Sequence, residues 1–263
     1  MMLRAFCRTL CCCLVLLGLL LPAHGHAEPQ IVYLTFDDGP RTSTQDILDL
    51  LTQEEVPGTF FLIGAHVLIS PYRQKTLQNL QSSPWAQVAN HSFSHANEQY
   101  RVFYNNPEGM VQDFKKNNTI LGLTTPPFPT RLPGRIDWRF EQFHTNSTYY
   151  PYNSKKAAPE GIAKLFDNHF VLYGWDVEWG RNKKTKNMDP AEHVAAEIKQ
   201  RFLTNESVKP NKVVLLMHDQ NFTGKEGMTR IQTLIQILRK EGYLFDFIKN
   251  YLTDIPPAAP QPK

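Results

Sequence analysis

Short β-branched or aromatic runs alternate with helical patterns along most of the chain after residue 30, and this alternation restricts the fold more than any other feature. A repeating order of strand and helix predicts an α/β domain with a largely parallel sheet. Six or more such units in about 230 residues fit a (β/α) barrel better than a small open sheet.

The predicted strands are IVYLTF, GTFFLI, WAQVAN, FVLYGWDV, KVVLLMH and GYLFDFI. The predicted helices span Ser43–Glu55, Pro71–Gln81, Pro107–Asn117, Pro159–Asn168, Pro190–Phe202 and Met228–Lys240. Two of these helices have clear start signals, because Asn106 precedes Pro107 and Asp189 precedes Pro190.

Residues 1–27 have the pattern of a secretory signal peptide and are excluded from the fold. Two arginines precede an apolar run from Leu10 to Leu21, and a small-residue pattern ends at Ala27. The run is about half the length of a membrane-spanning helix, so we expect cleavage near Ala27 rather than anchoring. The mature protein is therefore predicted to have no transmembrane segment and to be exported, to the periplasm or outside the cell.

The mature chain would have 263 − 27 = 236 residues and no cysteine, since all four cysteines lie in the first 27 residues. This length can enclose one large core, so we expect one domain at residues 28–252 and a Pro-rich tail at residues 253–263. The mature formal charge would be 26 − 25 = +1. Because the chain has only short basic runs, we expect no nucleic-acid partner.

Polar side chains fall at the ends of four predicted strands, and the ends of parallel barrel strands open on one face of the fold. These residues are Asp37 and Asp38, His91 and His95, Asp176 and Glu178, and His218 and Asp219. We therefore expect them to share one site.

The motif NHSFSH places His91 and His95 four residues apart. In a helical turn, both rings would lie on one face about 6 Å apart, a separation that suits one metal ion. Two histidines and one carboxylate are the ligands of hydrolytic zinc sites and of other divalent sites.

Two adjacent carboxylates in TFDDGP, Asp37 and Asp38, can divide the work of such a site. One would bind the metal, and the other would take a proton from the attacking water. Adjacent side chains project differently, and the turn at Gly39 and Pro40 leaves the site open. A simpler interpretation of Asp37 and Asp38 is an ordinary solvated turn without a catalytic role. An aspartyl phosphatase site is a second alternative, but its two acids would be spaced Asp-x-Asp rather than adjacent.

Three further residues are candidates for the chemistry. His218 can supply a general acid for a departing amine, although a lone histidine is often a core residue. Arg131 can pair with a carboxylate, or it can be a surface arginine before a Pro-Gly turn. The backbone N–H of Gly134 can serve as an oxyanion donor.

The ordered motifs TFDDGP, HSFSH, RLPG, WDVEW and LLMHD, from Thr35 to Asp219, resemble the polysaccharide deacetylases of carbohydrate esterase family 4, also called the NodB homology domain. The resemblance implies a distorted (β/α) barrel. It also implies an amide hydrolase that removes acetyl groups from N-acetylated sugars with a divalent metal. We expect one Zn²⁺, with Co²⁺, Ni²⁺ or Mn²⁺ as alternatives.

Position by position, the resemblance implies a catalytic base at Asp37, metal ligands at Asp38, His91 and His95, a general acid at His218 and a partner for the base at Arg131. The chain departs from the family at Gly134, where an aromatic residue is usual, and in WDVEW, which replaces Asp-x-x-Asp-Trp. The second departure leaves Asp176 and Glu178 as rival partners of His218. We favour Asp176, because that alignment keeps an aspartate, and Asp176→Asn should then shift the alkaline limb of the pH profile downward.

Aromatic residues in or near the motifs, Trp138, Trp175 and Trp179, suit stacking on sugar rings. We expect Trp175 to pack in the core and Trp179, beyond the strand end, to line the groove.

The favoured function is a metal-dependent deacetylase of N-acetylhexosamine units in a polysaccharide or oligosaccharide, with peptidoglycan, chitin-like and exopolysaccharide substrates all open. The alternative is a non-catalytic, metal-containing carbohydrate-binding protein of the same fold. The presence of base and acid together favours the enzyme.

Overall fold

The computed structural model describes residues 28–140, 143–144, 159–182, 185 and 187–253. The predicted signal peptide and residues 254–263 of the predicted tail lie outside these residues. In the described part of the chain, no helix has the length and apolar character that crossing a membrane requires.

Ten strands of the described residues form one curled sheet in the order β6-β5-β7-β4-β3-β2-β1-β9-β8, with β10 paired to β1. They are β1 (Ile31–Gly39), β2 (Gly58–Leu62), β3 (Ala86–Asn90), β4 (Phe128–Thr130), β5 (Arg139–Phe140), β6 (Phe143–His144), β7 (Phe170–Leu172), β8 (Val177–Trp179), β9 (Lys212–His218) and β10 (Leu244–Phe245). All pairs are parallel except those of β5 with β6 and with β7. The predicted α/β class and distorted barrel are confirmed.

The α-helices of the described residues cover the outside of the sheet. They are α1 (Thr42–Glu54), α2 (Gly64–Val67), α3 (Pro71–Ser82), α4 (Tyr100–Tyr104), α5 (Pro107–Leu121), α6 (Pro159–Asp167), α7 (Ala191–Thr204) and α8 (Gly224–Lys240). The side chain of Asn106 accepts a hydrogen bond from Gly109 N and caps α5, as predicted. The predicted cap at Asp189 is wrong, because Pro190 occupies the N-cap position of α7.

Strand β1 is buried along its whole length, because both of its faces meet apolar layers. Val32, Leu34 and Phe36 belong to the cluster shared with α1, α7 and α8. Tyr33 faces the barrel interior, in a second cluster where Trp138 stacks on Tyr251 at 5.3 Å. These aromatic side chains fill the interior of the barrel below the carboxyl end of β1. The last residues of β1 therefore lie at the open end of the barrel.

The predicted strand FVLYGWDV is two strands, β7 and β8, separated by a turn at Tyr173–Asp176. The guanidinium of Arg131 binds the chain at this break, where its Nε and Nη2 donate to the carbonyl oxygens of Tyr173 and Gly174 at 3.1 and 2.8 Å. These carbonyl oxygens are therefore bound by a side chain rather than by a neighbouring strand. A Cβ on Gly174 would lie 2.6 Å from the Trp138 indole nitrogen. The chain thus leaves the sheet beside β4 and re-enters it at the far edge, beside β9.

Candidate active site

Three side chains at the open end of the barrel converge on one point. Asp38 Oδ1 lies 3.5 Å from His91 Nε2 and 3.4 Å from His95 Nε2. The three ligand atoms lie within 4.8 Å of one another. Asp38 Oδ1 is buried and has no hydrogen-bond partner among the described residues, as expected of an oxygen placed to bind a cation.

Both imidazole rings are held by their other nitrogen. His91 Nδ1 donates to the carbonyl oxygen of Arg131, and His95 Nδ1 donates to Glu98 Oε1, each at 2.9 Å. These acceptors leave the Nε2 lone pairs facing Asp38, which is how histidine ligands of metals are usually oriented. Two such nitrogens and a carboxylate fit Zn²⁺ or a similar divalent ion and leave positions open for water and substrate.

The two histidines do not share one helical turn, so that part of the prediction is wrong. His91 lies in the loop after β3 and His95 begins a short, distorted 3₁₀ segment (His95–Glu98), and their ring centroids are 5.2 Å apart. Ser92 and all four residues of the turn His95–Glu98 have positive φ, a conformation that side chains disfavour. Asp113 Oδ1 compensates in part by accepting hydrogen bonds from the backbone N–H groups of Phe93 and Ser94.

Asp38 is fixed by residues that carry no recognisable motif. Its backbone has φ +72, and its carbonyl oxygen accepts hydrogen bonds from His66 Nδ1 at 2.8 Å and Arg41 Nε at 3.3 Å. Its second carboxylate oxygen accepts from Gln220 Nε2 at 2.9 Å. Burial alone would raise the pKa of Asp38, but the close approach of His91, with smaller contributions from the other histidines, holds that pKa well below its usual range.

Asp37 and Arg131 form a buried ion pair beside the ligand set. Arg131 Nη1 donates to Asp37 Oδ1 and to Thr35 Oγ1, both at 2.8 Å. The remaining donors of Arg131 bind the two carbonyl oxygens of the turn after β7, and its guanidinium lies over the Phe61 ring at 4.2 Å. The other oxygen of Asp37 lies 3.7 Å from His91 Nε2. Asp37 is thus held by one oxygen and presents the other to the metal ligands.

The glycine in TFDDGP is explained by a buried acid that the motif analysis did not assign a role. A Cβ on Gly39 would lie 2.6 Å from Asp219 Oδ2. That oxygen accepts a short hydrogen bond from Thr44 Oγ1, and burial raises the pKa of Asp219 to about 7. The only sequence signal for Asp219 is its place directly after His218 at a strand end.

The proposed acid and oxyanion donor share one open cavity with the ligands. The cavity has a volume of about 1030 Å³ and is lined by Asp37, Asp38, both histidine ligands, Gly134, Trp175, Glu178 and His218. His218 is the register partner of Asp37 on the neighbouring strand. Of the predicted site residues, Arg131, Asp176, Trp179 and Asp219 do not line this cavity, and the others do. Arg131 contacts the cavity-lining Asp37 from the buried side.

Direct contact between Asp176 and His218 is excluded, so the preference for Asp176 is wrong. Both carboxylate oxygens of Asp176 accept backbone hydrogen bonds, from Val208 N at 3.1 Å and Val214 N at 2.8 Å. Val214 precedes His218 by four residues in β9, a separation of about 13 Å along an extended strand. Glu178, whose register partner is Leu216, lines the cavity with His218.

The two tryptophans of WDVEW have exchanged the places predicted for them. Trp179 is fully buried, its ring packs edge-on against Phe222 at 4.9 Å, and its Nε1 donates to the Asp189 carbonyl oxygen. Trp175 is only half-buried and lines the cavity. Because the turn after β7 interrupts the strand, the alternation assumed for a continuous strand does not apply to Trp175.

Gly134 has a positive φ of 63, and its missing side chain makes room for a neighbouring ring. A Cβ there would lie 3.0 Å from Tyr100 Cε1. Tyr100 packs edge-on against His95 and also lines the cavity. In the described residues, no acceptor is hydrogen-bonded to the Gly134 N–H.

Comparisons with known proteins agree with this fold and motif set. Residues 24–135 match the family model described as polysaccharide deacetylase. A peptidoglycan-N-acetylglucosamine deacetylase of Bacillus cereus is 29% identical over 223 residues, which cover 83% of this chain and 69% of that protein. A chitin disaccharide deacetylase of Vibrio alginolyticus is 26% identical over an alignment of 302 positions, which covers 84% of this chain and 71% of that protein.

A solved structure supports the fold. The catalytic domain of a peptidoglycan N-acetylglucosamine deacetylase from Eubacterium rectale matches this chain with a TM-score of 0.61 and 24% identity. The match covers 87% of this chain and 91% of that one.

Proposed function

Because the chain belongs to the polysaccharide deacetylase family, we propose that it is a metal-dependent hydrolase of N-acetyl groups on the hexosamine units of a polysaccharide or oligosaccharide. The observation that carries this proposal is the convergence of Asp38 Oδ1, His91 Nε2 and His95 Nε2 in one cavity. Asp37, the proposed base, and His218, the proposed acid, line the same cavity. The metal ligands, the base and the acid can therefore act on the same amide bond of a substrate.

Asp38, His91 and His95 would hold the divalent ion. When bound, the ion supplies Lewis acidity toward an acetamide carbonyl oxygen and makes water a stronger acid. Other groups of the chain orient these three ligands. The Arg131 carbonyl oxygen and Glu98 fix the two histidine rings, and Gln220 fixes the Asp38 carboxylate. Zn²⁺ is the ion that the donor set favours, with Co²⁺, Ni²⁺ or Mn²⁺ as alternatives.

Asp37 is the proposed base. Arg131 Nη1 holds Asp37 Oδ1 at 2.8 Å in a buried ion pair. The other oxygen faces the ligand atoms, where it can take a proton from the water that attacks the acetyl carbon. Since the pair is buried, solvent does not compete for the Asp37 oxygen that Arg131 occupies.

His218 is the proposed acid. It reaches the cavity from β9, next to the strand that carries Asp37, so an amide bound between them can receive a proton on its nitrogen from His218. The departing amine nitrogen takes that proton as the carbon–nitrogen bond breaks. Glu178 lines the cavity with His218 from the neighbouring strand β8 and is the proposed partner in place of Asp176.

The Gly134 N–H is the proposed donor to the oxygen that becomes negative when water adds to the acetyl carbon. It has the freedom for this role, because no acceptor in the described residues engages it. A non-catalytic binding protein would need neither the Asp37–Arg131 pair nor His218 at this position, which favours the enzyme over that alternative.

Acetate release from a panel of substrates tests the proposal. The panel contains peptidoglycan, N-acetylglucosamine oligomers and an acetylated exopolysaccharide, since the named relatives act on peptidoglycan and on a chitin disaccharide. We expect release that chelation abolishes and added Zn²⁺ restores. Release from no member of the panel at any metal concentration would contradict the proposal.

Export is proposed on sequence grounds alone. The measurement is the N-terminal sequence of the protein recovered from outside the cytoplasm of an expressing bacterium. We expect it to begin near Glu28, directly after the predicted cleavage site at Ala27.

A further inference from the structure

Residues 132–135, which carry the proposed oxyanion donor, form a tight turn. Arg135 N donates to the Leu132 carbonyl oxygen at 3.4 Å, and Gly134 has a positive φ of 63. Because the ring of Pro133 holds its own φ near about −65°, this pattern is that of a type II β-turn, with proline at the second position and glycine at the third. The Gly134 N–H therefore belongs to the central peptide of the turn, which joins Pro133 to Gly134.

A glycine at the third position of a turn also permits the opposite orientation of the central peptide. A type I turn has the same ends and also accepts proline at its second position, but its central peptide is reversed relative to that of a type II turn. The local sequence therefore does not determine by itself where the Gly134 N–H points. A contact from another part of the fold is needed to select one orientation.

Tyr104, the last residue of α4, makes that contact. Its Oη donates to the Pro133 carbonyl oxygen at 2.6 Å. The C=O and N–H of a planar trans peptide point in opposite directions, so a bond that fixes the Pro133 oxygen also fixes the Gly134 N–H. The N–H then points away from Tyr104. No acceptor among the described residues engages it, and Gly134 lines the cavity.

Tyr104 is itself held firmly in the fold. It is buried in one apolar cluster with Leu132, and its ring packs edge-on against Phe103 at 5.2 Å. The Arg135 guanidinium lies over the same ring at 4.8 Å. Burial raises the pKa of Tyr104 well above its usual value, so the hydroxyl keeps its proton. The Pro133 oxygen therefore has a donor that is fixed in place and remains a donor.

We propose that Tyr104 is a positioning residue, which holds the peptide between Pro133 and Gly134 in the orientation that aims the Gly134 N–H at the substrate oxygen. This inference rests on the proposed deacetylase function and adds to it a residue that touches neither metal nor substrate. A buried tyrosine hydroxyl needs some acceptor for stability alone. A purely structural role would change the free energy of unfolding, but neither the mobility of the Gly134 amide nor kcat.

Tyr104→Phe tests this role, because it removes only the hydroxyl and keeps the ring in its cluster. The matched control is Tyr33→Phe, which removes a buried hydroxyl from the barrel interior, outside the cavity. The measurements on both variants and the wild type, with added Zn²⁺, are kcat and KM for acetate release, metal content and the free energy of unfolding in urea. A further measurement, independent of activity, is the NMR order parameter of the Gly134 amide.

We expect Tyr104→Phe to lose about tenfold in kcat at unchanged KM and metal content, a part of the 10²–10³-fold loss that follows removal of an oxyanion donor. The order parameter of the Gly134 amide should fall from about 0.85 to below about 0.6, while Tyr33→Phe matches the wild type. A wild-type kcat or an unchanged Gly134 order parameter in Tyr104→Phe would overturn the positioning role. If the wild type releases no acetate from any substrate of the panel, the proposed function fails instead, and the order parameter alone then decides the role of Tyr104.

Discussion

The two sides of the cavity are built differently. On the metal side, every ligand of the proposed ion is held by another group: His91 by a backbone carbonyl, His95 by Glu98, and Asp38 by Gln220 and His66. On the acid side, no hydrogen bond to the His218 ring exists among the described residues, although the ring lines the cavity. A metal ligand must be in place before the ion arrives, whereas the acid completes its contacts with substrate.

The largest expected effect tests the metal side. His91→Ala removes a ligand, so metal affinity should fall by more than the roughly 100-fold that changes around a ligand produce. Elemental analysis of purified protein measures this, with His193→Ala, at an exposed position outside the cavity, as the control. Equal metal content in wild type, His91→Ala and His95→Ala would contradict the ligand assignment.

The next effect separates the two tryptophans of the acid side. Trp179→Ala should lower the free energy of unfolding by about 3–5 kcal/mol, because it empties a fully buried site. Trp175→Ala should change stability far less and raise KM, because Trp175 lines the cavity. Urea denaturation and steady-state kinetics of both variants check this. A larger stability loss in Trp175→Ala would reverse the assignment.

Asp176 should affect stability and its pH dependence. Burial raises the pKa of Asp176 from 3.8 to about 6, so its proton stabilises the fold below about pH 4, and this stabilisation is lost as pH rises through 6. The loss corresponds to about 3 kcal/mol. The stability of wild type relative to Asp176→Asn should fall by that amount between pH 4 and pH 7, in urea denaturation at matched metal concentration.

Asp176 and Glu178, the two rival partners of His218, can be compared in kinetics. Asp176→Asn should leave the alkaline limb of the kcat/KM profile in place, whereas Glu178→Gln should move it downward, because of the two acids only Glu178 lines the cavity with His218. A downward shift in Asp176→Asn alone would restore the alignment that we rejected.

The smallest expected effect concerns Glu98, which orients His95 but is largely exposed. Glu98→Gln keeps an acceptor for His95 Nδ1 and removes a charge, so we expect about a tenfold loss of metal affinity, at the low end for such groups. Competition with a chelator measures it, and Glu226→Gln, an exposed acid on α8, is the control. An unchanged affinity would show that the His95 ring needs no such support.

The difference between the metal side and the acid side of the cavity also explains which site residues could be predicted from the sequence. Asp37, Asp38, His91, His95 and Arg131 were identified because short motifs carry them and their chemistry is specific. His66 and Gln220 were missed because only the folded chain brings them to Asp38. Their contacts span 28 and 182 residues of sequence, a distance at which no local pattern exists.

The acid side was misjudged for one physical reason. The placement of Asp176, Trp175 and Trp179 assumed a continuous strand, in which side chains alternate between two faces. Arg131, about 40 residues earlier, binds the carbonyl oxygens of Tyr173 and Gly174 and turns the chain there. The strands and most helices carried enough local pattern to be predicted, but this turn has a cause that is distant in sequence.

Asp37→Asn is the most direct test of the central claim, that one carboxylate of TFDDGP binds the metal and the other acts as base. The substitution keeps the size of the side chain and leaves Asp38, His91 and His95 unchanged. Metal content and acetate release should be measured on the same preparation. We predict wild-type metal content and a loss of about 10²–10⁴-fold in kcat, whereas a variant that holds its metal and releases acetate at nearly the wild-type rate would contradict the account.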